Sequence, residues 1–328
     1  MGRKDRYSRQ SKSQLLRSAF TRACALAQAP LEGVLFPFPT FLFASAHSKS
    51  FQKKNQVVES LAASRSADPT RPPALTAFYS SELGGITTEP ALAVVHFDDH
   101  LVHRGHAVFD TAEIIEGRLY QLDDHLERFF ASAARARLRL PFSRAQVRRT
   151  VLETAAAGRK MDGHVRYWLG AGRGGFGLGT RECARPSFFV AAYGKKPDGS
   201  EDLLLGSSGR DPGGVSLRTA FGVPALDRMM CGIKSTNYLK HAVAQAEAEE
   251  AGFDYGVFAS EDKEGNLFVT EGATVSLGVI TSEGELVIPP FGEVSLPGCT
   301  AKRVLELLPA VRKKSFDFLS FFPDFFPF

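Results

Sequence analysis

Lys234 stands in CGIKSTNYLK (231–240), between an apolar run (Met229, Met230, Cys231, Ile233) and residues suited to a helix start (Ser235, Thr236, Asn237). An ammonium gains nothing from packing there, and lysine is rarely buried unless it has a task. On its own it reads as a lysine on the solvent side of a strand end, and a chemical role requires partners elsewhere in the chain. Gly298-Cys299-Thr300 opens a helix at Ala301, so its amides and hydroxyl suit an anion. Gly170-Ala-Gly172-Arg-Gly-Gly175 satisfies GxGxxG after a strand, but it continues Phe-Gly-Leu-Gly, too glycine-rich to open the helix that must hold a pyrophosphate. His96, His100, His103 and His106, with Asp98 and Asp99, fit no helical metal motif. Strand alternation would scatter them, so a structural or hydrogen-bonding role is expected and no metal site. HExxH, GxSxG and GxxxxGK[ST] are absent.

The elements that must position these residues lie after residue 76. The chain has 328 residues, 44% hydrophobic and 23% charged, enough for two medium domains. Its net charge of +4 is uneven: residues 1–58 carry ten Lys/Arg against Asp5 and Glu32, and the remainder is net −4. The later part therefore has no basic excess for nucleic acid. The Arg-, Ser- and Ala-rich start, nearly free of acids, has the composition of an organelle transit peptide or of a disordered basic tail. GVLFPFPTFLFASA is apolar, but it is too short to span a bilayer and is interrupted by Pro37 and Pro39, so no membrane segment is expected. Cys24, Cys183, Cys231 and Cys299 form no CxxC pair, which suggests neither a disulfide framework nor structural zinc. SRSADPTRPP reads as a linker, with the domain start near Ala77.

Strands are expected at 91–97 and 107–115, the second turning at Glu116-Gly117 into RLYQL. Asp123 or Asp124 is expected to cap a helix whose Leu122, Leu126, Phe129 and Ala133 share a face, with Arg128 off that face. A second helix (143–157) and strands at 164–172 and 186–193 follow. Strand-like VSLRTAF opens the next part, then a helix from Asn237 stopped by Gly252, and strands DYGVFAS, NLFVTEGATVSLGVIT and ELVIPP, with turns at 264–266 and 282–284. Hairpins and helices alternate without a βαβ rhythm, an α+β pattern.

One ordered set then stands out: RGHAVFDTAEIIEGRLYQLDDHLERFFASA (104–133), GIKSTNYL, VTEGATVSLGVI (269–280) and LPGCTAKRVLELL (296–308). Together they resemble the class IV, or fold-type IV, pyridoxal-phosphate aminotransferases, which include D-amino-acid and branched-chain aminotransferases and aminodeoxychorismate lyase. AFYSSELGGITTEPA, DDHLVHRGHAVFDT and GCTAKR look most like the plant D-amino-acid branch. The resemblance implies that Lys234 forms a Schiff base with pyridoxal 5'-phosphate, its apolar flank keeping the amine partly neutral. It implies that Glu271 holds the pyridine nitrogen protonated, and that Arg128 and Gly298-Cys299-Thr300 bind the phosphate. In isolation Glu271 reads as a surface glutamate and Arg128 as a solvated helix position. Phe109 matches a pocket aromatic, and Arg166 an active-site position suited to a substrate carboxylate. Many relatives carry Ser or Asn two to four residues after the TEG glycine, where this chain has Ala273, Thr274, Val275 and Ser276.

The implied architecture is a small N-terminal α/β domain (77–196) and a larger mixed α/β cofactor domain (197–312), after a transit peptide and linker (1–76). The family pattern continues past GCTAKR, whereas the Phe-rich tail at 313–328 resembles no part of it, so a C-terminally truncated fold with weak cofactor binding and little activity is expected. The implied activity is transfer of an amino group from a D-amino acid to a 2-oxo acid in a plastid homodimer. Aminodeoxychorismate lyase, an inactive relative, and a mitochondrial or cytoplasmic location are the alternatives.

Overall fold

The computed structural model describes residues 54–66, 75–195, 215–220, 229–261 and 267–311. Residues 1–53 of the basic N-terminal segment, the 264–266 turn and the tail at 313–328 lie outside the described residues. The first described element is helix α1 (Lys54–Ser66), which reaches into the stretch expected as linker.

A six-stranded antiparallel sheet follows, built from β1 (Leu75–Ser80), β2 (Gly85–Thr87), β3 (Ala107–Ile115), β4 (Arg118–Leu119), β5 (Gly163–Gly170) and β6 (Ser187–Gly194). Its strand order is β2-β1-β6-β5-β3-β4. β3 alternates along its length: Val108, Asp110, Ala112 and Ile114 are buried while Phe109, Thr111 and Glu113 are half-buried. Glu116 (φ 49°) and Gly117 (φ 74°) make the two-residue turn to β4, both central residues at positive φ as a tight hairpin requires.

Two helices cover one face of this sheet. Helix α3 (Leu122–Arg135) lays down Leu122, Leu126, Phe129, Phe130 and Ala133. Helix α4 (Arg144–Gly158) adds Val147 and Val151. With Tyr167, Phe188 and Val190 from the sheet they form the main apolar core. Ser143 and Gln146 close a capping box at the start of α4.

Several expectations fail here, among them a strand through NLFVTEGATVSLGVIT, whose residues 273–278 form none. Residues 91–97 form no strand: Pro90–Leu92 is a 3-10 turn capped by Glu89, and Phe97 is 72% exposed. Pro90, which has a fixed φ and no N–H to donate, starts a turn instead. Neither Asp123 nor Asp124 caps α3. The cap position is Gln121 in the left-handed region, because the chain enters directly from the two-residue β4, and both aspartates fall in the first turn, where their charge suits the helix dipole. VSLRTAF contributes only three strand residues. The short helix α2 (His100–His103) was not foreseen.

The remaining elements are β7 (Leu217–Thr219), α5 (Leu239–Glu250), β8 (Tyr255–Glu261), β9 (Leu267–Gly272), β10 (Val279–Ile280), β11 (Leu286–Val287) and α6 (Cys299–Val311). β7, parallel to β8, and β9, antiparallel to it, make a three-stranded sheet, and β10 and β11 form a hairpin. α5 lies so close on β8 that a Cβ on Gly256 would stand 2.1 Å from the Ala244 carbonyl oxygen. Among the described residues no helix is long and apolar enough to cross a membrane.

Candidate active site

β4 pairs only with the Ile114–Ile115 end of β3, which leaves the Ala107–Phe109 end of that edge unsatisfied. The segment around Lys234 fills it. Phe109 N–H donates to the Lys234 carbonyl (2.9 Å) and Thr236 N–H to the Ala107 carbonyl (3.0 Å), while Lys234 N–H donates to Ser132 Oγ of α3 (3.1 Å). The lysine is thus fixed at its backbone from two elements. Its Nζ donates to Tyr238 Oη (3.2 Å) and lies 4.9 Å from the centre of the Phe109 ring. Burial, helped by the nearby Arg128 charge, lowers the amine to about 8. Tyr238 stacks on His241 with centroids 4.0 Å apart, and burial followed by the Lys234 charge lowers that imidazole to about 4.

Glu271 lies one residue before the end of β9 and is buried. Its Oε2 accepts from Leu296 N–H (2.8 Å), whereas Oε1 is buried with no hydrogen-bond partner. Burial raises this carboxyl to about 7, against the pull of the Leu296 bond and Lys234.

Arg128 is not a solvated helix position. Its side chain is 10% exposed, with Nε and Nη2 on Asp110 (2.8 and 2.7 Å) and Nη1 on the Pro297 carbonyl (3.3 Å). That carbonyl immediately precedes Gly298-Cys299-Thr300, where α6 begins and the first amides of a helix lack intrahelical partners. A cavity of about 460 Å³ is lined by Lys234, Tyr238, Glu271, Arg128, Cys299 and Thr300 among others.

Phe109 and Arg166 stand beside this cavity without lining it. Arg166 Nε donates to Thr111 Oγ1 across the β3–β5 ladder (2.8 Å), and its guanidinium lies 5.6 Å from the Phe109 ring centre, on whose ring Lys234 Nζ also rests. The residues that sequence reasoning missed are Asp110, His125, Ser132, Tyr238 and His241. A signal existed on α3, where His125 and Ser132 fall at helical spacing with Arg128 along one stripe next to the apolar face.

The histidine cluster bonds to backbone. His100 Nε2 meets the Gly175 carbonyl (3.0 Å) and His106 Nε2 the Ala136 carbonyl (2.9 Å). Asp98 pairs with Arg173, and among the described residues no group of His, Cys, Asp and Glu is arranged to hold a metal. The glycine run opens no helix after β5. Gly172 (φ 104°) passes so near the Arg185 carbonyl that a side chain there would collide with it.

Residues 107–316 match the profile of amino-transferase class IV, a span that holds every cavity residue named above. The chain belongs to this family. Its relatives include the chloroplastic D-amino-acid transaminase of Arabidopsis thaliana, 40% identical over 232 residues, and the D-alanine aminotransferase of Bacillus licheniformis, 25% identical over 229 residues. The alignment to the first covers 70% of this chain and 58% of that protein, and to the second 68% and 72%. The chain thus spans less than two thirds of its Arabidopsis relative. In fold this class IV chain is similar to the branched-chain aminotransferase of the thermophilic archaeon Thermoproteus uzoniensis, solved with norvaline, with a TM-score of 0.60 and 22% identity over 72% of this chain and 75% of that one.

Proposed function

We propose that this class IV chain is a pyridoxal-phosphate-dependent transaminase that moves an amino group from a D-amino acid to a 2-oxo acid. The observation that carries the reading is one cavity bordered by a near-neutral amine (Lys234), a buried carboxylate with an unused oxygen (Glu271 Oε1) and a cationic cup at a helix start (Arg128 with Gly298-Cys299-Thr300). Those three chemistries fit the three functional parts of pyridoxal phosphate: its aldehyde, its pyridine nitrogen and its phosphate. The D-amino-acid substrate class is supported by the Arabidopsis relative, whose name also supports a plastid location.

When bound, pyridoxal phosphate supplies an aldehyde for amine exchange and a ring that accepts the electron pair released at a substrate carbon. The protein's part is positioning and proton transfer. Lys234, with an amine brought to about 8, keeps a useful neutral fraction near neutral pH and serves as attachment point, then as general base and acid. Tyr238 Oη accepts from Lys234 Nζ and holds that amine in place between transfers. Glu271 Oε1 would hold the ring nitrogen of the bound cofactor, while the Leu296 amide holds the other carboxylate oxygen. Arg128 and the first amides of α6 bind the phosphate. Arg166, over the Phe109 ring, is the partner for a substrate carboxylate. We also propose a homodimer, supported by the exposed apolar side chains Val94, Phe97, Val102 and Phe176.

The test uses the full chain with pyridoxal phosphate, borohydride reduction and peptide mass spectrometry, together with pyruvate release from D-alanine and 2-oxoglutarate. Cofactor mass fixed at Lys234, and loss of both signals in Lys234→Ala, are expected. Fixation in Lys234→Ala, or pyruvate from aminodeoxychorismate but not from D-alanine, sinks the proposal.

A further inference from the structure

Asp110 is fully buried at an inward position of β3 whose neighbours on that face are Val108, Ala112 and Ile114. A carboxylate there is costly unless its oxygens are paired. Both are. Oδ2 accepts from Arg128 Nε (2.8 Å), and Oδ1 accepts from Arg128 Nη2 (2.7 Å) and His125 Nδ1 (2.9 Å). An arginine has five N–H groups. Asp110 takes two and Pro297 one, and Nη2 also lies 3.3 Å from His125 Nδ1, so the second Nη1 N–H is left for a ligand in the cavity that Arg128 and His125 both line.

The charges decide what that ligand is. Arg128 and Asp110 alone cancel, a poor match for a phosphate monoester dianion. A protonated His125 restores one net positive charge beside the start of α6. We infer that Asp110 and His125 are positioning residues for the phosphate cup: Asp110 orients the Arg128 fork toward the cavity, and His125 supplies the charge that selects a dianion. This inference rests on the proposed function for the identity of the ligand.

The groups facing His125 are Asp110 from β3, Arg128 on its own helix and Cys299 from α6, with Tyr167 of β5 beside the Asp110–Arg128 pair. Burial opposes a charge on His125, but its contacts with Asp110 and Cys299 outweigh that and raise the imidazole above its usual range. Burial likewise opposes charge on Asp110, and the bonds from Arg128 and His125 outweigh it and lower the carboxyl.

The test compares the affinity of the full-length apoprotein for pyridoxal phosphate with that for pyridoxal, whose ratio isolates the phosphate and cancels changes at Lys234. Asp110→Asn is expected to lower the ratio on the order of tenfold, with partial recovery in Asp110→Glu. His125→Gln is expected to lower it a few-fold and to abolish its fall between neutral and alkaline pH. Folded Asp110→Asn and His125→Gln proteins that both keep the wild-type ratio within twofold overturn the inference, as does an unchanged pH profile in His125→Gln. Where Asp110→Asn does not fold, Asp110→Glu and His125→Gln decide. Protection of the apoprotein against heat by inorganic phosphate is the second readout, expected to weaken in both variants. If wild type shows that His125-dependent protection yet fixes no cofactor at Lys234, the cup stands and the proposed function falls.

Discussion

The region from 75 to 195 and the region from 215 to 311 are built differently. In the first, β3–β5 and β5–β6 each pair over eight residues in unbroken register, and Phe129, Tyr167 and Phe188 are completely buried against them. In the second, the longest strand among the described residues has seven, and the buried apolar cluster there is Ala220, Ala244, Phe258 and Ala273. Yet the second region carries Lys234 and Glu271. Lys234, the proposed attachment point, is held by the backbone of β3 and by Ser132, so the well-packed region fixes the position of a side chain that the other region carries. Catalytic groups need fixed positions, and a sheet in long unbroken register is a rigid reference for them.

Truncating a core ring is the largest way to break this comparison. Phe129→Ala is expected to destabilise the protein by about 3–5 kcal/mol in urea unfolding, and Phe258→Ala by clearly less, since fewer buried side chains surround it. Equal losses would erase the distinction between the regions.

Lys234 gives a smaller effect with a definite sign. Its amine is lowered from 10.5 to about 8 on folding, so between those values the unfolded chain binds more protons and stability rises with pH, by about 3 kcal/mol at most. Lys234→Met should flatten that rise in paired denaturation curves. Transaminase rate should climb over the lower part of the same window, as the neutral amine accumulates.

Asp110 titrates the other region at the acid end. Its carboxyl is held at about 2 against 3.8, so its contribution, about 2 kcal/mol, is present above 3.8 and lost as pH falls through about 2. Wild type and Asp110→Asn should therefore converge in stability toward pH 2. A gap that persists there would assign the stabilisation to packing.

Ser132→Ala is the smallest and the most specific test of the join. It removes the acceptor for Lys234 N–H and should cost about 1 kcal/mol of stability, with a few-fold loss in rate. An unchanged rate would mean that β3 alone fixes the lysine.

Much of this was legible in the residues. The hairpin at Glu116-Gly117, the apolar face of α3, the span of α4 and the helix ended at Gly252 follow from local pattern, and the residues of the ordered motifs, Lys234, Glu271, Arg128 and Gly298-Cys299-Thr300, line one cavity. Residues 91–97 misled because a short apolar run does not by itself specify a strand, and the turn begun at Pro90 takes its first residues. Taken alone, Arg128 reads as a solvated helix position, because its partner, Asp110, lies on another element; only the ordered motifs mark it as a phosphate ligand.

The sequence by itself determined which residues repeat with helical or strand period, and which side chains can carry charge, donate a proton or turn the chain. Only the tertiary structure decided which of those polar groups lose water and which groups they meet. Lys234 and Ser132 are 102 positions apart, Arg128 and Pro297 169. A shifted amine or an orphaned carboxylate oxygen depends on desolvation and on charges brought close by folding, and neither exists along an extended chain.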